Sequence, residues 1–139
     1  MTKERLKGCR ALRREAQQLR ERLDEIEAVM YAPKNQRLTG MPGGGPTDTS
    51  AAEAMVVQHL TLTEHYRAKL AELAAEQLAV EEAIDRLSTQ ERILLRYRYL
   101  QGLSWEEVCV AMSYSWRQVH RLHARALQAL REQDEEAGA

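Results

Sequence analysis

The stretch Ser104–Arg131, SWEEVCVAMSYSWRQVHRLHARALQALR, reads as a helix, a very short turn and a second helix, and it decides the fold. Glu107 follows Ser104 by three residues and Gln118 follows Ser115 by three. Each helix start therefore carries a capping box, in which the serine hydroxyl and the longer side chain each satisfy one exposed backbone N–H. Leu103 with Val108, and Tyr114 with Val119, add a hydrophobic staple at each start. Only Ser113 and Tyr114 remain for the turn, the spacing of a helix-turn-helix.

The second of these helices, 115–131, has the character of a recognition helix. Between Val108 and Arg131 there is no acidic residue, while Arg117, Arg121, Arg125 and Arg131 are all present. Val119, Leu122, Ala126, Leu127 and Leu130 recur at helical spacing and pack inward, which leaves Trp116, Arg117, Gln118, His120, Arg121 and Arg125 facing out as the candidate DNA-binding residues. Arginine offers two parallel donors to guanine, and glutamine a donor and an acceptor to adenine, in the major groove of double-stranded DNA. An ordinary bundle helix with a solvated arginine face would show the same charges. The short turn, the paired caps and the absence of acids weigh against it.

From Leu87 to Arg131 the segments ERILLRYRYLQG, LSWEEV and SWRQVHRLHARALQALR resemble the C-terminal, promoter-reading region 4 of bacterial primary-type sigma factors. The whole chain resembles small phage and prophage transcription regulators of the RinA and ArpU type. The resemblance implies sequence-specific DNA binding that switches on phage genes, and it leaves room for contact with host RNA polymerase. In that arrangement Ser104, Trp105 and Ser115 are candidate phosphate contacts near the DNA backbone. Where the sigma pattern commonly has Arg-Glu-Arg after the capping serine, this chain has Trp116, Arg117 and Gln118, so the docking mode carries over and the base preference does not.

Composition sets the rest of the frame. A chain of 139 residues with 44% hydrophobic content suits one or two small domains, and a mix rich in Leu, Ala, Glu, Arg and Gln with no Phe favours an all-α fold without strands. The net charge of −1 is spread unevenly, with acids gathered in Glu53–Asp85 and in the tail after Glu132, so local patches matter more than the total. Cys9 and Cys109 fit neither a disulfide framework nor a zinc site. A charged N-terminus and the lack of a long apolar run indicate no signal peptide, no membrane span and a bacterial cytoplasmic location.

Residues 1–87 are expected to form a long antiparallel helical hairpin with coiled-coil character, and 88–132 the helix-turn-helix domain, followed by an acidic tail, 133–139. Cys9, Leu12, Ala16, Leu19, Leu23, Ile26 and Met30 follow a three-four heptad rhythm, so the first helix needs a long partner or a second copy of itself. Lys3, Lys7, Arg5, Arg10, Arg13 and Arg14 crowd its first half against Glu4 alone and can hold phosphates or form a solvated face. The segment 32–49 holds three prolines and four of the seven glycines and is the connecting loop.

The second long helix is expected to start at a Ser50–Glu53 capping box and run to Leu87, its seam passing through Val56, His59, Thr63, Tyr66, Leu70, Leu73, Gln77, Val80 and Ile84. Ser88 with Glu91 caps a third helix whose apolar face is Ile93, Leu94, Tyr97 and Leu100, with Gly102 ending it. The hydroxyls of Tyr97 and Tyr99 belong at the rim, and Arg92, Arg96 and Arg98 extend the basic surface. His120 and His123 have no neighbouring carboxylates, and no catalytic triad or nucleotide fingerprint occurs, so neither an enzyme, a metal site nor a cofactor is indicated. The expected assembly is a homodimer through the hairpin that reads spaced half-sites. Two alternatives are a phage small terminase subunit, which would assemble as a ring, and a sigma-like module that binds polymerase or another protein without touching DNA.

Overall fold

A computed structural model describes residues 1–32 and 46–138, without the side chains of 46–49. All its regular structure is helical among the described residues: α1 Lys3–Met30, α2 Pro46–Ile84, α3 Thr89–Leu95 continuing into a π-helical turn Arg96–Leu100, α4 Trp105–Met112 and α5 Trp116–Gly138. None of these helices is long and apolar enough to cross a membrane. The chain packs as two units, Glu15–Leu70 and Met1–Arg14 with Ala71–Ala139. This division cuts through both long helices and does not coincide with the boundary at Leu87 read from the sequence.

In the unit Glu15–Leu70, α1 and α2 run antiparallel. Lys69 Nζ lies 3.0 Å from Glu15, the Arg20 guanidinium 5.8 Å from the Tyr66 ring centre, and His59 Nε2 3.1 Å from a Glu27 carboxylate oxygen. Ala16 and Leu23 are buried, as the heptad rhythm implied, and the polar seam residue His59 is accommodated by Glu27. Two seam positions differ from expectation. Val56 and Leu70 are exposed, and beside Val56 it is Met55 that is half-buried.

α2 begins at Pro46 and not at Ser50, so Ser50 lies inside the helix and caps nothing. Proline suits a first helical turn, where its fixed φ is already helical and the missing N–H has no intrahelical partner to lose. The helix also stops at Ile84, short of Leu87. Of the expected loop 32–49, residues 33–45 lie outside the described residues and 46–49 are already helical.

The unit Met1–Arg14 with Ala71–Ala139 holds the main core: Leu6, Cys9, Leu73, Val80, Ile84, Leu87, Leu94, Leu95, Tyr99, Val108, Val119, Leu122, Ala126 and Leu130 are all buried. Leu6, one turn before the first residue of the expected seam, is fully covered. A leucine buried to this degree contributes about 1.5–3 kcal/mol. Arg5 forks onto Glu76 with two 3.0 Å bonds, and the N-terminal amino group meets Asp134 at 2.7 Å. The acidic stretch 133–139 is therefore no separate tail, since α5 continues through it to Gly138.

The apolar face expected of the third helix was Ile93, Leu94, Tyr97 and Leu100, and the observed one is Leu94, Leu95 and Tyr99. The π-helical turn explains the change after Leu95. Gln101 N–H donates to Arg96 O at 2.8 Å and Leu103 N–H to Tyr97 O at 2.9 Å, spans of five and six residues. Each residue of such a widened turn advances less about the axis than in an α-helix, which swings Tyr99 inward and carries Arg98 to the edge. Gly102, at φ 76°, then ends the helix.

Candidate nucleic-acid interface

Both capping boxes of the motif form. The Ser104 amide donates to Glu107 Oε1 at 3.1 Å and Glu107 N–H to Ser104 Oγ at 3.2 Å. The Ser115 amide donates to Gln118 Oε1 at 2.8 Å and Gln118 N–H to Ser115 Oγ at 3.2 Å. The same bonds draw Glu107 below the usual carboxylate range, because its charged form accepts from the Ser104 backbone. Ser113 closes α4 in the left-handed conformation, φ 57°, and Tyr114 completes the two-residue turn. The Tyr114 hydroxyl donates to Gln90 at 3.1 Å and so ties the turn to the start of α3.

Along α5, Val119, Leu122, Ala126 and Leu130 are buried and Leu127 is half-buried, so the inward face is the expected one. Its outer face carries Arg117, Gln118, Arg121 and Arg125, all exposed. None of the three arginines forms an ion pair among the described residues. Gln118, Arg121 and Arg125 line one side of a cleft whose other side is Ser88, Gln90 and Glu91. Three of the candidate contacts are partly committed elsewhere: Gln118 Oε1 is occupied by its cap, leaving the amide Nε2 free, and the Ser104 and Ser115 oxygens accept within their caps, leaving each O–H free to donate.

His120 does not sit on the outer face. Its ring is half-buried between the two tryptophans that open the motif helices, 4.4 Å from Trp116 and 4.6 Å from Trp105 by ring centres, and its Nε2 is buried without a partner. Trp105 in turn lies 4.5 Å beneath the Arg98 guanidinium and meets His123 edge-on at 4.7 Å. Trp116, His120, Trp105 and Arg98 thus form one continuous stack from the recognition helix to the π-helical turn. Stacking and cation–π contacts of this kind are worth about 0.5–1.5 kcal/mol each. Trp116 remains 53% exposed, so one face of the stack is open to solvent.

Sequence reasoning missed His123 as a core residue. It is 7% exposed, and the Tyr99 hydroxyl lies 2.7 Å from its Nε2. Burial, reinforced by Lys3, His120, Arg98 and Lys7, pushes its pKa down to about 4, so the ring is neutral at neutral pH. Burial also raises the Tyr99 phenol, which stays protonated and shares one hydrogen bond with the neutral ring at Nε2. A tyrosine hydroxyl expected at the rim is instead the anchor of the core. The signal was faint but present, since His123 falls one position from Leu122 and three before Ala126 on the inward stripe.

The arginines of the third helix are consumed by structure and do not widen the basic surface as expected. Arg92 Nη1 donates to Leu87 O at 2.7 Å, Arg96 pairs with Glu81 at 2.9 Å, and Arg98 Nη1 donates to Leu103 O at 3.0 Å. No curated protein and no solved structure matches the chain. Residues 83–132, which contain α3, the π-helical turn, α4 and most of α5, match the family model of sigma-70 region 4, and this part of the chain is a sigma-70 region 4-like helix-turn-helix.

Proposed function

We propose that the protein is a sequence-specific, DNA-binding transcription regulator of phage or prophage type whose α5 lies in the major groove. The observation that carries this reading is the outer face of α5: three exposed arginines without ion pairs among the described residues, on the second helix of a sigma region 4-like motif. Recognition helices read with their N-terminal residues, which gives Arg117 and Arg121 the base edges and Arg125 the groove wall. Gln118 contributes a single donor while its cap is intact, and the hydroxyls of Ser104 and Ser115 donate to phosphates. Trp116 offers an apolar surface to a thymine methyl group. The reading is one of binding without catalysis and without a cofactor, in the cytoplasm of a bacterial host, with RNA polymerase as a second partner of the same domain.

Self-association of the hairpin belongs to the same proposal. Val56, Val57 and Leu60 are exposed on neighbouring turns of α2, an apolar strip that a second copy would cover. A dimer would present two recognition helices to spaced half-sites. The test is selection from a random duplex pool with the solution mass measured on the same sample. A defined motif, lost or relaxed by Arg117→Ala and Arg121→Ala at about 1–3 kcal/mol each, is the expected result. A ring-sized mass with no enriched motif would point to a terminase subunit, and a small species with no enrichment to a protein-interaction module.

A further inference from the structure

The basic start of α1 is a separate feature from the recognition helix, and it lies in the same packing unit. Lys3, Lys7, Arg10 and Arg14 recur at four, three and four residues, so they share one edge of the helix, while Leu6 and Cys9 beside them are buried and Arg5 is turned to Glu76. Lys3, Lys7 and Arg14 are exposed and form no ion pair among the described residues.

The stripe runs beside the motif. Arg10 Nη2 donates to Gly102 O at 3.3 Å while Arg98 donates to the next carbonyl, Leu103 O, so two guanidiniums hold the segment that leads into α4. The Nε atoms of both are buried without partners. Lys3 and Lys7 act electrostatically on His123 of α5, and Arg10 and Arg14 on Arg98, which burial and these neighbours hold below its ordinary value. Glu106 faces Arg98 and Glu107 faces Arg10, but Glu107 is engaged in its cap, so the edge keeps a positive excess.

We propose that the Lys3–Lys7–Arg10–Arg14 edge of α1 is a second polyanion-binding surface, which holds the phosphate backbone of the duplex beside the groove that α5 occupies. This rests on the DNA-binding reading and deepens it. The edge supplies affinity without sequence information, because phosphates are the same at every step, whereas Arg117 and Arg121 supply the preference. Arg10 also supports Gly102, so the three exposed residues are the ones to change.

The test compares wild type, Lys3→Gln/Lys7→Gln/Arg14→Gln and Arg117→Ala/Arg121→Ala on the selected duplex and on a random duplex, across a salt series. The α1 variant is expected to weaken on both duplexes by about tenfold or more near 0.15 M salt, with its log–log salt slope smaller by about 2–3 and its preference retained. The α5 variant should lose the preference and keep most of the slope on the random duplex. Lys3→Arg/Lys7→Arg, which preserves charge, should bind as wild type. An α1 variant with wild-type slope overturns the proposal and leaves the recognition-helix reading standing. An α5 variant with unchanged preference sinks that reading, while the α1 effect on random duplex would still stand. Wild type that binds neither duplex overturns both.

Discussion

Lowering the pH from 7.5 to 5.0 should destabilise this protein through one residue, His123. In the unfolded chain its imidazole takes up a proton near pH 6.5, and in the fold only near pH 4, because the ring is buried against Tyr99 and Trp105 and faces Lys3 and Lys7. The neutral form is the one the fold favours. Its contribution is therefore complete above pH 6.5 and drains away as the pH falls from 6.5 through 4. The full shift corresponds to about 3 kcal/mol, and about 2 kcal/mol of it is lost by pH 5.0. Glu76, Glu81 and Glu107, each held below the usual carboxylate value by hydrogen bonds, are common to wild type and His123→Phe, so their titration cancels in a comparison of the two. Urea unfolding of wild type and His123→Phe at both pH values isolates the effect, since His59, His65 and His120 are common to the two proteins. Wild type should lose about 2 kcal/mol more than the variant between pH 7.5 and 5.0. Equal losses would refute the assignment of a neutral, buried imidazole, whatever the variant's stability at pH 7.5.

Three further outcomes follow from the backbone and the caps. Gly102→Ala should destabilise by about 1–2 kcal/mol, because its φ of 76° is strained for any L side chain and the new Cβ would stand 3.3 Å from the Arg13 side chain, whereas Ser113→Gly, at φ 57°, should be neutral or stabilising by up to about 1 kcal/mol; thermal melts of the two variants read the opposite signs. Ser115→Ala removes the acceptor of the Gln118 amide and should cost about 1 kcal/mol in urea unfolding, while releasing nothing from the core.

The motif was legible because its information is local. Ser104 with Glu107 and Ser115 with Gln118 state their helix starts within four residues, and the structure forms both boxes as read. The third helix was misread because periodicity assumes a constant turn. Its π-helical segment changes the period after Leu95, and no single residue announces that change, so Tyr97 took the place that belongs to Tyr99. The start of α2 was misplaced for a related reason: Ser50 with Glu53 satisfies the same pattern as the true caps, yet the preceding Pro46 can open the helix one turn earlier and leaves the box without a function.

The candidate site was legible in charge and not in stacking. The arginines of α5 stand out by the absence of acids between Val108 and Arg131, a property of sequence alone. The stack Trp116–His120–Trp105–Arg98 joins three helical segments, and its members are one turn apart only for Trp116 and His120. The two tryptophans share a different regularity. Each is the first residue of its helix, directly after a capping serine, so the geometry that sets the angle between α4 and α5 also brings their rings to one histidine. A half-polar ring at position 120 reads the same in the sequence whether it meets solvent or two indoles, which is why the outward placement expected of His120 does not hold. The edge of α1 poses the same ambiguity in charge. Lys3, Lys7, Arg10 and Arg14 keep the rhythm of the buried seam, displaced around the helix, and that rhythm describes equally a solvated face and a binding edge. What separates the two is the neighbour, and here the neighbours are His123, Gly102 and Arg98 of the helix-turn-helix motif and its prop.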